Sequence, residues 1–435
     1  MADVRAFRGL RYSLPQVGDL SRVLCPPYDV ISAPEAQRLR AASPYNAIHL
    51  ELPEALPGET GDERYRRAAA TLQAWRAAGV LVRDAEPRLY AIEEAFSWPA
   101  GHPQRRRGLL AVVRLADWAE RVVLPHEHTL AAPKADRLQL LRACATNISP
   151  VFLLYPPQPA AEAALWGAAA TTPPQCEAQT PDGGVVRVWA LSPPAGAALL
   201  AALAESRLYI ADGHHRYETA LRYRDERRAA AASDRPMGYD YVLSYLVSMA
   251  DPGLVVLATH RWVPAERVDR QRLAALLAER FVVVARHKAP PGGLAAATAL
   301  AELRRWGARH TTFGLYQAGE LLLIQPCAAA SRWLPAERHP AWRALDTAQV
   351  ESLLLQPLLG PDAAEALAYT RDAAEALAAV DAGRAAFAVL LNPPSPAQIA
   401  AVADAGERMP QKSTYFYPKL PTGLAFHVLD DAALG

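Results

Sequence analysis

Hydrophobic and polar positions follow helical and strand periods in turn along the first part of the chain. In residues 63–79, Leu72 and Trp75 fall near one face of a helix that a glycine would end. Residues 89–96 and 108–115 instead alternate or run apolar with β-branched members, which is typical of strands. This part of the chain is therefore predicted to mix helices and strands.

The middle of the chain contains a short apolar run that leads into a polar segment with helical spacing. The pattern predicts loops or a short hairpin over 155–194, a strand at 208–210, a turn at Asp212 and Gly213, a helix over 215–228, and a strand pair formed by 241–249 and 254–258. The C-terminal part repeats the mixture, with a helix at 270–279 and strands at 281–285, 313–316 and 321–324. Helices and strands intermingle without regular βαβ spacing, so the predicted fold class is α+β.

Length and composition narrow the class of protein. A chain of 435 residues is too long for a typical single core, so two lobes are predicted, residues 1–262 with a mixed sheet and residues 263–435 as a second α+β lobe. The net charge is +1, which gives no broad basic field, so nucleic acid is not an expected partner. The 4 cysteines lack CxxC spacing, and no apolar stretch is long enough to span a membrane. We expect a soluble, cytoplasmic protein, and its oligomeric state stays open.

The densest polar cluster follows the predicted strand at 208–210. A helix N-terminus offers unpaired N–H groups, and Gly213 allows the backbone to approach a ligand. His214, His215 and Arg216 are groups that bind phosphate, while Asp212 supplies a carboxylate for a metal ion or a hydroxyl proton. The alternative is that Asp212 only caps the helix and the other residues form a solvated first turn. Four such groups in five positions favour a functional site.

A second polar cluster surrounds the segment PHEHT. His126, Glu127 and His128 are candidates for substrate binding, and Lys134 and Arg137 for anion binding. A zinc site receives little support, because alternating side chains on an extended segment diverge and no third ligand follows at motif spacing. An ordinary solvated helix start is the alternative for Lys134 and Arg137.

Three more segments carry candidate residues. In GERMPQKSTYFYPK, near the C-terminus, Arg408, Lys412 and Ser413 suit a loop that closes over an anion, or a structural loop that docks its aromatic residues. In CPPYD and NAIHLE, Tyr28, Asp29 and Glu51 are further candidates, with helix caps and hydrogen bonds at the core edge as the alternative. The P-loop, Rossmann, zincin and nucleophile-elbow motifs are absent from the sequence.

Several longer segments together resemble one family. They are FRGLRY, CPPYDVIS, NAIHLELP, LPHEHT, PKADRLQLLRA, NISPVF, YIADGHHRYETAL and GERMPQKSTYFYPKLPTGL. They resemble the bacterial and archaeal family catalogued as domain of unknown function 1015, and the resemblance spans nearly the whole chain. That family label implies no activity.

The DGHHR motif is also similar to the signature of free serine kinases of the ParB/sulfiredoxin-like superfamily. This resemblance implies a ParB/sulfiredoxin-like element in the first lobe, with Asp212 as the magnesium-side or base carboxylate and His214, His215 and Arg216 on the phosphates. The base that deprotonates the acceptor stays open between Glu51, Asp29 and Glu127.

We therefore predict a small-molecule kinase that converts free L-serine to O-phosphoserine, with Mg²⁺ and with ATP, ADP or pyrophosphate as donor. Its first lobe would be catalytic and its second would contribute a closing loop. The alternatives are a ParB-like nucleotide switch and a noncatalytic scaffold.

Overall fold

The computed structural model describes residues 1–59, 61–99, 101–129, 131–230 and 235–429. The chain forms two compact units. The first contains Met1–Pro125, Thr129–Val255 and the segment that begins at Pro418, and the second contains His126–His128 and Val256–Tyr417. The sequence-based boundary at residue 263 assigned the segment from Pro418 onward to the second lobe. In the structure, this segment belongs to the first unit. No helix in the described ranges is both long and apolar enough to cross a membrane.

The strands of both units are numbered in chain order. They are β1 (Val4–Arg5), β2 (Leu10–Tyr12), β3 (Leu81–Arg83), β4 (Leu89–Ser97), β5 (Pro103–Arg114), β6 (Val123–Leu124), β7 (Thr146–Asn147), β8 (Val151–Tyr155), β9 (Cys176–Gln179), β10 (Val185–Leu191), β11 (Leu208–Asp212), β12 (Tyr241–Ser248), β13 (Val255–Leu257), β14 (His260–Pro264), β15 (Phe281–Lys288), β16 (Phe313–Gln317), β17 (Glu320–Pro326), β18 (Ala368–Thr370), β19 (Ala385–Leu390), β20 (Tyr415–Tyr417) and β21 (His427–Val428).

The helices are numbered in the same way. They are α1 (Leu14–Val17), α2 (Ala33–Ala42), α3 (Ile48–Glu51), α4 (Glu63–Ala77), α5 (Ala131–Cys144), α6 (Pro159–Ala169), α7 (Ala197–Ala204), α8 (His214–Ala230), α9 (Arg270–Arg280), α10 (Ala296–Gly307), α11 (Pro340–Arg343), α12 (Asp346–Val350), α13 (Gln356–Leu359), α14 (Ala373–Asp381) and α15 (Pro396–Asp404). A π-helical turn, Glu351–Leu355, joins α12 to α13, and a short 3₁₀ turn covers Tyr28–Val30.

A large mixed sheet forms the centre of the first unit. Its strand order is β6-β11-β8-β12-β5-β4-β10-β9, with β1 added beside β5. Strand β12 is parallel to β8 and antiparallel to β5, and all of its residues are buried. A central strand covered on both faces reads as a nearly continuous apolar run, and YVLSYLVS follows this pattern except at its two serines. Helices α5 and α8 pack against each other. Strand β21 pairs with β7 and thereby joins the C-terminal segment to this unit.

The second unit contains its own antiparallel sheet. Its strand order is β15-β17-β16-β19-β14-β18. Buried apolar side chains of β16, β17 and β19 form its core together with residues of α9 and of the π-helical turn. The two sheets and their helices confirm the predicted α+β class.

Two sequence predictions about the first unit are wrong in part. Residues 155–194 form the β9–β10 hairpin, as one alternative predicted, but they also contain helix α6 and the full-length pairing of β10 with β4. The alanine-rich composition concealed α6, in which the buried positions are Leu165 and Ala169. The predicted hairpin of 241–249 with 254–258 is also wrong. Strand β12 pairs with β5 and β8, while β13 belongs to a separate two-stranded sheet.

Candidate functional site

The DGHHR motif spans the connection between β11 and α8 in the first unit. Strand β11 ends at Asp212, Gly213 has a φ of 89°, and α8 begins at His214. A Cβ atom on Gly213 would lie 2.9 Å from Nε of Arg216. Glycine is therefore required both by the left-handed backbone and by the closeness of the arginine. This turn brings the N-terminus of α8, the positive end of the helix dipole, next to a charged cluster.

Asp212 is held between two cations. Its Oδ2 accepts a hydrogen bond of 2.5 Å from Nη2 of Arg216, and its Oδ1 accepts one from Nζ of Lys419. Burial alone would raise the pKa of Asp212, but Lys419 and Arg216 hold it well below its ordinary value. Such a carboxylate is a weak proton acceptor. The geometry fits a role in holding the two cations in place better than a role as base.

Arg216 connects this ion cluster to the interior of the unit. Its Nη1 donates to the carbonyl oxygen of Pro150, while its buried Nε has no hydrogen-bond partner. Burial opposes its charge, but Asp212 raises the pKa of the guanidinium. The guanidinium is thus fixed in place and still has one donor available.

The side chains around Arg216 differ in exposure. His214 is buried at the start of α8. His215 is half-buried, and burial lowers the pKa of its imidazole. Lys134 forms an ion pair of 2.9 Å with Glu218 on α8.

The carboxylate of Glu51 lies at the end of α3, in the same unit. Its Oε1 accepts hydrogen bonds from the backbone N–H of Tyr28, at 3.1 Å, and from the Ser149 hydroxyl, at 3.0 Å. Its Oε2 is buried and has no hydrogen-bond partner. Glu51 is only 1% exposed, so one carboxylate oxygen is fixed by two hydrogen bonds and the other is buried without a hydrogen-bond partner from the protein.

Arg137 links the Glu51 segment to helix α5. Its Nη1 donates to the backbone carbonyl of Glu51 at 2.6 Å, and its guanidinium lies 4.2 Å from the ring centre of Tyr28. Burial raises the pKa of Tyr28 to about 12, so its phenol stays protonated at neutral pH. Asp29, the next residue, is exposed, and its charge acts on Arg216.

A cavity of about 50 Å³ lies beside these groups. Three of its lining residues carry a buried polar atom without a hydrogen-bond partner: Glu51 (Oε2), Arg216 (Nε) and Thr219 (Oγ1). Ser149 and Arg137 also line it. A carboxylate acceptor and a guanidinium donor, both unsatisfied, suit a ligand hydroxyl, which donates one hydrogen bond and accepts another.

The structure therefore brings together all ten predicted site residues of the first unit. These are Tyr28, Asp29, Glu51, Lys134, Arg137, Asp212, Gly213, His214, His215 and Arg216. Sequence reasoning missed Lys419, Ser149 and Thr219 as members of the cluster. Lys419 lies in the C-terminal aromatic segment that the sequence singled out, but nothing local indicates that its partner is Asp212.

The remaining predicted residues belong to the second unit. Nε2 of His126 lies 3.0 Å from Oγ1 of Thr414, and this hydroxyl also donates to Glu127 at 3.3 Å. The HEH and QKST segments therefore meet there. His128 is exposed.

The other three predicted residues of that unit lie on the C-terminal loop. Arg408 is half-buried, and its carbonyl accepts a hydrogen bond from the Trp342 indole at 2.9 Å. Lys412 is exposed with a φ of 56°. Ser413 is buried and donates to the carbonyl oxygen of Pro410 at 2.6 Å. The phosphate-binding roles of Arg408, Lys412 and Ser413 stay predictions.

The protein side chains alone do not form a metal site in the described ranges. No group of three His, Cys, Asp or Glu residues there is placed to hold an ion. Both oxygens of Asp212 already accept hydrogen bonds from cations. The arrangement does not fit the predicted metal-ligand role of Asp212.

Comparisons with known proteins find one matching family and several solved structures of low similarity. The profile of a family described as protein of unknown function (DUF1015) matches residues 4–348. A solved structure of a free serine kinase in complex with AMP is similar at 12% identity and a TM-score of 0.35, covering 73% of this chain and 91% of that chain. SbnI with C-terminal truncation from Staphylococcus aureus is similar at 11% identity and a TM-score of 0.35, covering 72% of this chain and 85% of that chain. A search of curated proteins finds no match.

Proposed function

The chain belongs to the DUF1015 family, as its motifs predict, and from this premise we propose that the protein is a small-molecule kinase. The observation that carries the proposal is the buried Oε2 of Glu51, which has no partner and borders the same cavity as Arg216. A proton acceptor and a phosphate-binding cation next to each other are what phosphoryl transfer to a hydroxyl requires.

The donor phosphates would bind at the N-terminus of α8. The helix dipole and the N–H groups after Gly213 favour an anion there. Arg216 and Lys419 add two positive charges that Asp212 holds in position. Because these groups are fixed before the ligand arrives, they can stabilise charge on the transferred group without reorganising.

The acceptor hydroxyl would enter between Glu51 and Arg216. Oε2 of Glu51 takes the hydroxyl proton as the hydroxyl oxygen bonds to the terminal phosphorus of the donor, and the bond from that phosphorus to the bridging oxygen breaks. The hydrogen bonds from Tyr28 and Ser149 fix the other carboxylate oxygen and so aim Oε2. Of the three base candidates from the sequence, Glu51 has the support of this geometry.

Free L-serine is the acceptor that the DGHHR resemblance favours, and the cavity beside Glu51 and Arg216 would receive its hydroxyl group. The donor is a nucleotide or pyrophosphate. Magnesium would enter with the phosphates as part of the donor complex, and we assign it no ligand from this chain.

The test is phosphorus NMR of the purified protein with L-serine and magnesium, with ATP, ADP and pyrophosphate offered separately. The proposal predicts a phosphoserine signal with one of them and none with Asp212→Ala. Consumption of the donor without phosphoserine would indicate a nucleotide switch instead. No consumption and no donor binding by folded protein would indicate a scaffold.

A further inference from the structure

A buried ion pair lies in the sheet of the first unit and includes none of the residues that the proposed reaction uses. Arg106 on β5 is 0% exposed and donates to both carboxylate oxygens of Glu94 on β4, at 2.7 and 2.9 Å. The hydroxyl of Tyr245 donates to the same carboxylate at 2.8 Å. The guanidinium also lies 5.1 Å from the ring centre of Phe152. We call Arg106, Glu94 and Tyr245 the sheet triad.

The sheet triad holds one point on the C-terminal segment. Nη2 of Arg106 donates to the carbonyl oxygen of Pro418 at 2.7 Å. The next residue is Lys419, whose ammonium binds Asp212. The side chain of Lys419 is only 9% exposed. The Pro418 carbonyl that Arg106 fixes therefore lies one residue before Lys419, the cation that pairs with Asp212 of the DGHHR motif.

The stability of the core does not by itself explain the triad. Taking the charges of Arg and Glu out of water carries a large desolvation cost, and a protein with apolar residues of similar size in their place is often as stable. A guanidinium differs from other side chains in its planar fork, which can hold a carboxylate with two N–H groups and a carbonyl with a third. The arrangement is therefore suited to holding the Pro418 carbonyl in a fixed position relative to the sheet.

We propose that the sheet triad positions Lys419 against Asp212, with Arg106 as the positioning residue. The consequence for donor binding rests on the function proposed above. The placement of Lys419 is independent of the proposed function, and it can be measured in a protein without any activity.

The experiment measures how fast an acetylating reagent labels Lys419, by mass spectrometry of the folded protein. The lysines of the chain are Lys134, Lys288, Lys412 and Lys419. Lys288 and Lys412 are exposed and serve as internal references. In the variant Arg106→Lys, the new ammonium can still pair with Glu94 but cannot reach both Glu94 and the Pro418 carbonyl. We expect Lys419 to be labelled roughly tenfold faster, as the loss of one charge-assisted hydrogen bond predicts.

The matched control is Arg107→Met. Residues 106 and 107 are neighbours in the β4–β5 register, opposite Glu94 and Glu93, and they point to opposite faces of the sheet. Arg107 pairs with Glu93 at 3.0 Å, and its side chain has no bond to the C-terminal segment among the described contacts. This variant should leave Lys419 labelling unchanged.

The outcomes separate the two proposals. Faster labelling of Lys419 in Arg106→Lys and not in Arg107→Met supports the positioning role, and equal labelling in both variants overturns it. If Arg106→Lys fails to fold, the neutral pair Arg106→Met/Glu94→Gln replaces it with the same expectation. In parallel, the affinity for pyrophosphate should fall roughly tenfold in Arg106→Lys. If the parent protein binds no donor, the proposed function fails while the labelling result still decides the positioning role.

Discussion

The replacement Asp212→Asn removes the negative charge between Lys419 and Arg216 and leaves the size and shape of the side chain nearly unchanged. Two cations would then lie close together, and neither would have its present counterion. Removing one partner of a buried ion pair costs about 3–5 kcal/mol, and we expect about 3 kcal/mol here, since Arg216 keeps the Pro150 carbonyl. The assay is urea unfolding of the variant and the parent, followed by circular dichroism.

The pH dependence of this loss follows from the lowered pKa of Asp212. In the unfolded chain the carboxyl titrates near its ordinary value of 3.8, and in the folded chain it stays ionised to lower pH. The stabilisation is therefore complete above about pH 5 and decreases as the pH falls below about 4. The difference between parent and variant should be constant from pH 5 to 8 and smaller at pH 3.5.

The matched control is Asp225→Asn on the same helix. Asp225 pairs with Arg224, but its side chain is 63% exposed. Exposed pairs contribute about 0–1 kcal/mol, so the control should unfold nearly as the parent does. If Asp212→Asn is no less stable than Asp225→Asn, the cluster does not hold these cations in the way described.

Three further predictions concern the same unit. Gly213→Ala should lower stability by about 1–3 kcal/mol and abolish donor binding, because of the positive φ and the contact with Arg216, as urea unfolding and calorimetry would show. Lys419→Met should weaken pyrophosphate binding roughly tenfold in calorimetry while the secondary structure is kept, and unchanged affinity would remove Lys419 from the donor site. Burial lowers the pKa of His427 from 6.5 to about 4, so between these values only the unfolded chain takes up the proton. Stability should therefore fall as the pH drops from 6.5 to 4, and His427→Gln should reduce that slope in urea unfolding.

Much of the local architecture could be predicted from the sequence. The run LYIAD followed by Gly213 predicts a buried strand and a tight turn, because few other patterns combine apolar residues, a glycine and charges so closely. The helix that follows was predicted one residue late. Strand β12 was also predicted, but its pairing was not. Its mostly apolar pattern is typical of a central strand, and which strands flank such a strand depends on the whole sheet.

The members of the site were only partly predictable. The DGHHR residues and Glu51 stood out because of their chemistry. Lys419 and Ser149 did not, since they join the site through contacts between residues far apart in sequence: 207 positions separate Lys419 from Asp212, and 98 separate Ser149 from Glu51. Helix α6 was not predicted, because its many alanines give only a weak contrast between the buried and the exposed face of the helix.

The central claim is that Glu51 accepts the proton while the cluster of Arg216 and Lys419 binds the donor. The measurement that tests it most directly is a time course of phosphoserine formation by phosphorus NMR, with the parent and Glu51→Gln compared at equal bound donor. Glutamine keeps an oxygen for the Tyr28 and Ser149 hydrogen bonds but cannot take a proton. The account predicts unchanged donor affinity and a rate at least about 100-fold lower, the usual contribution of a general base. Equal rates in the two proteins would contradict it.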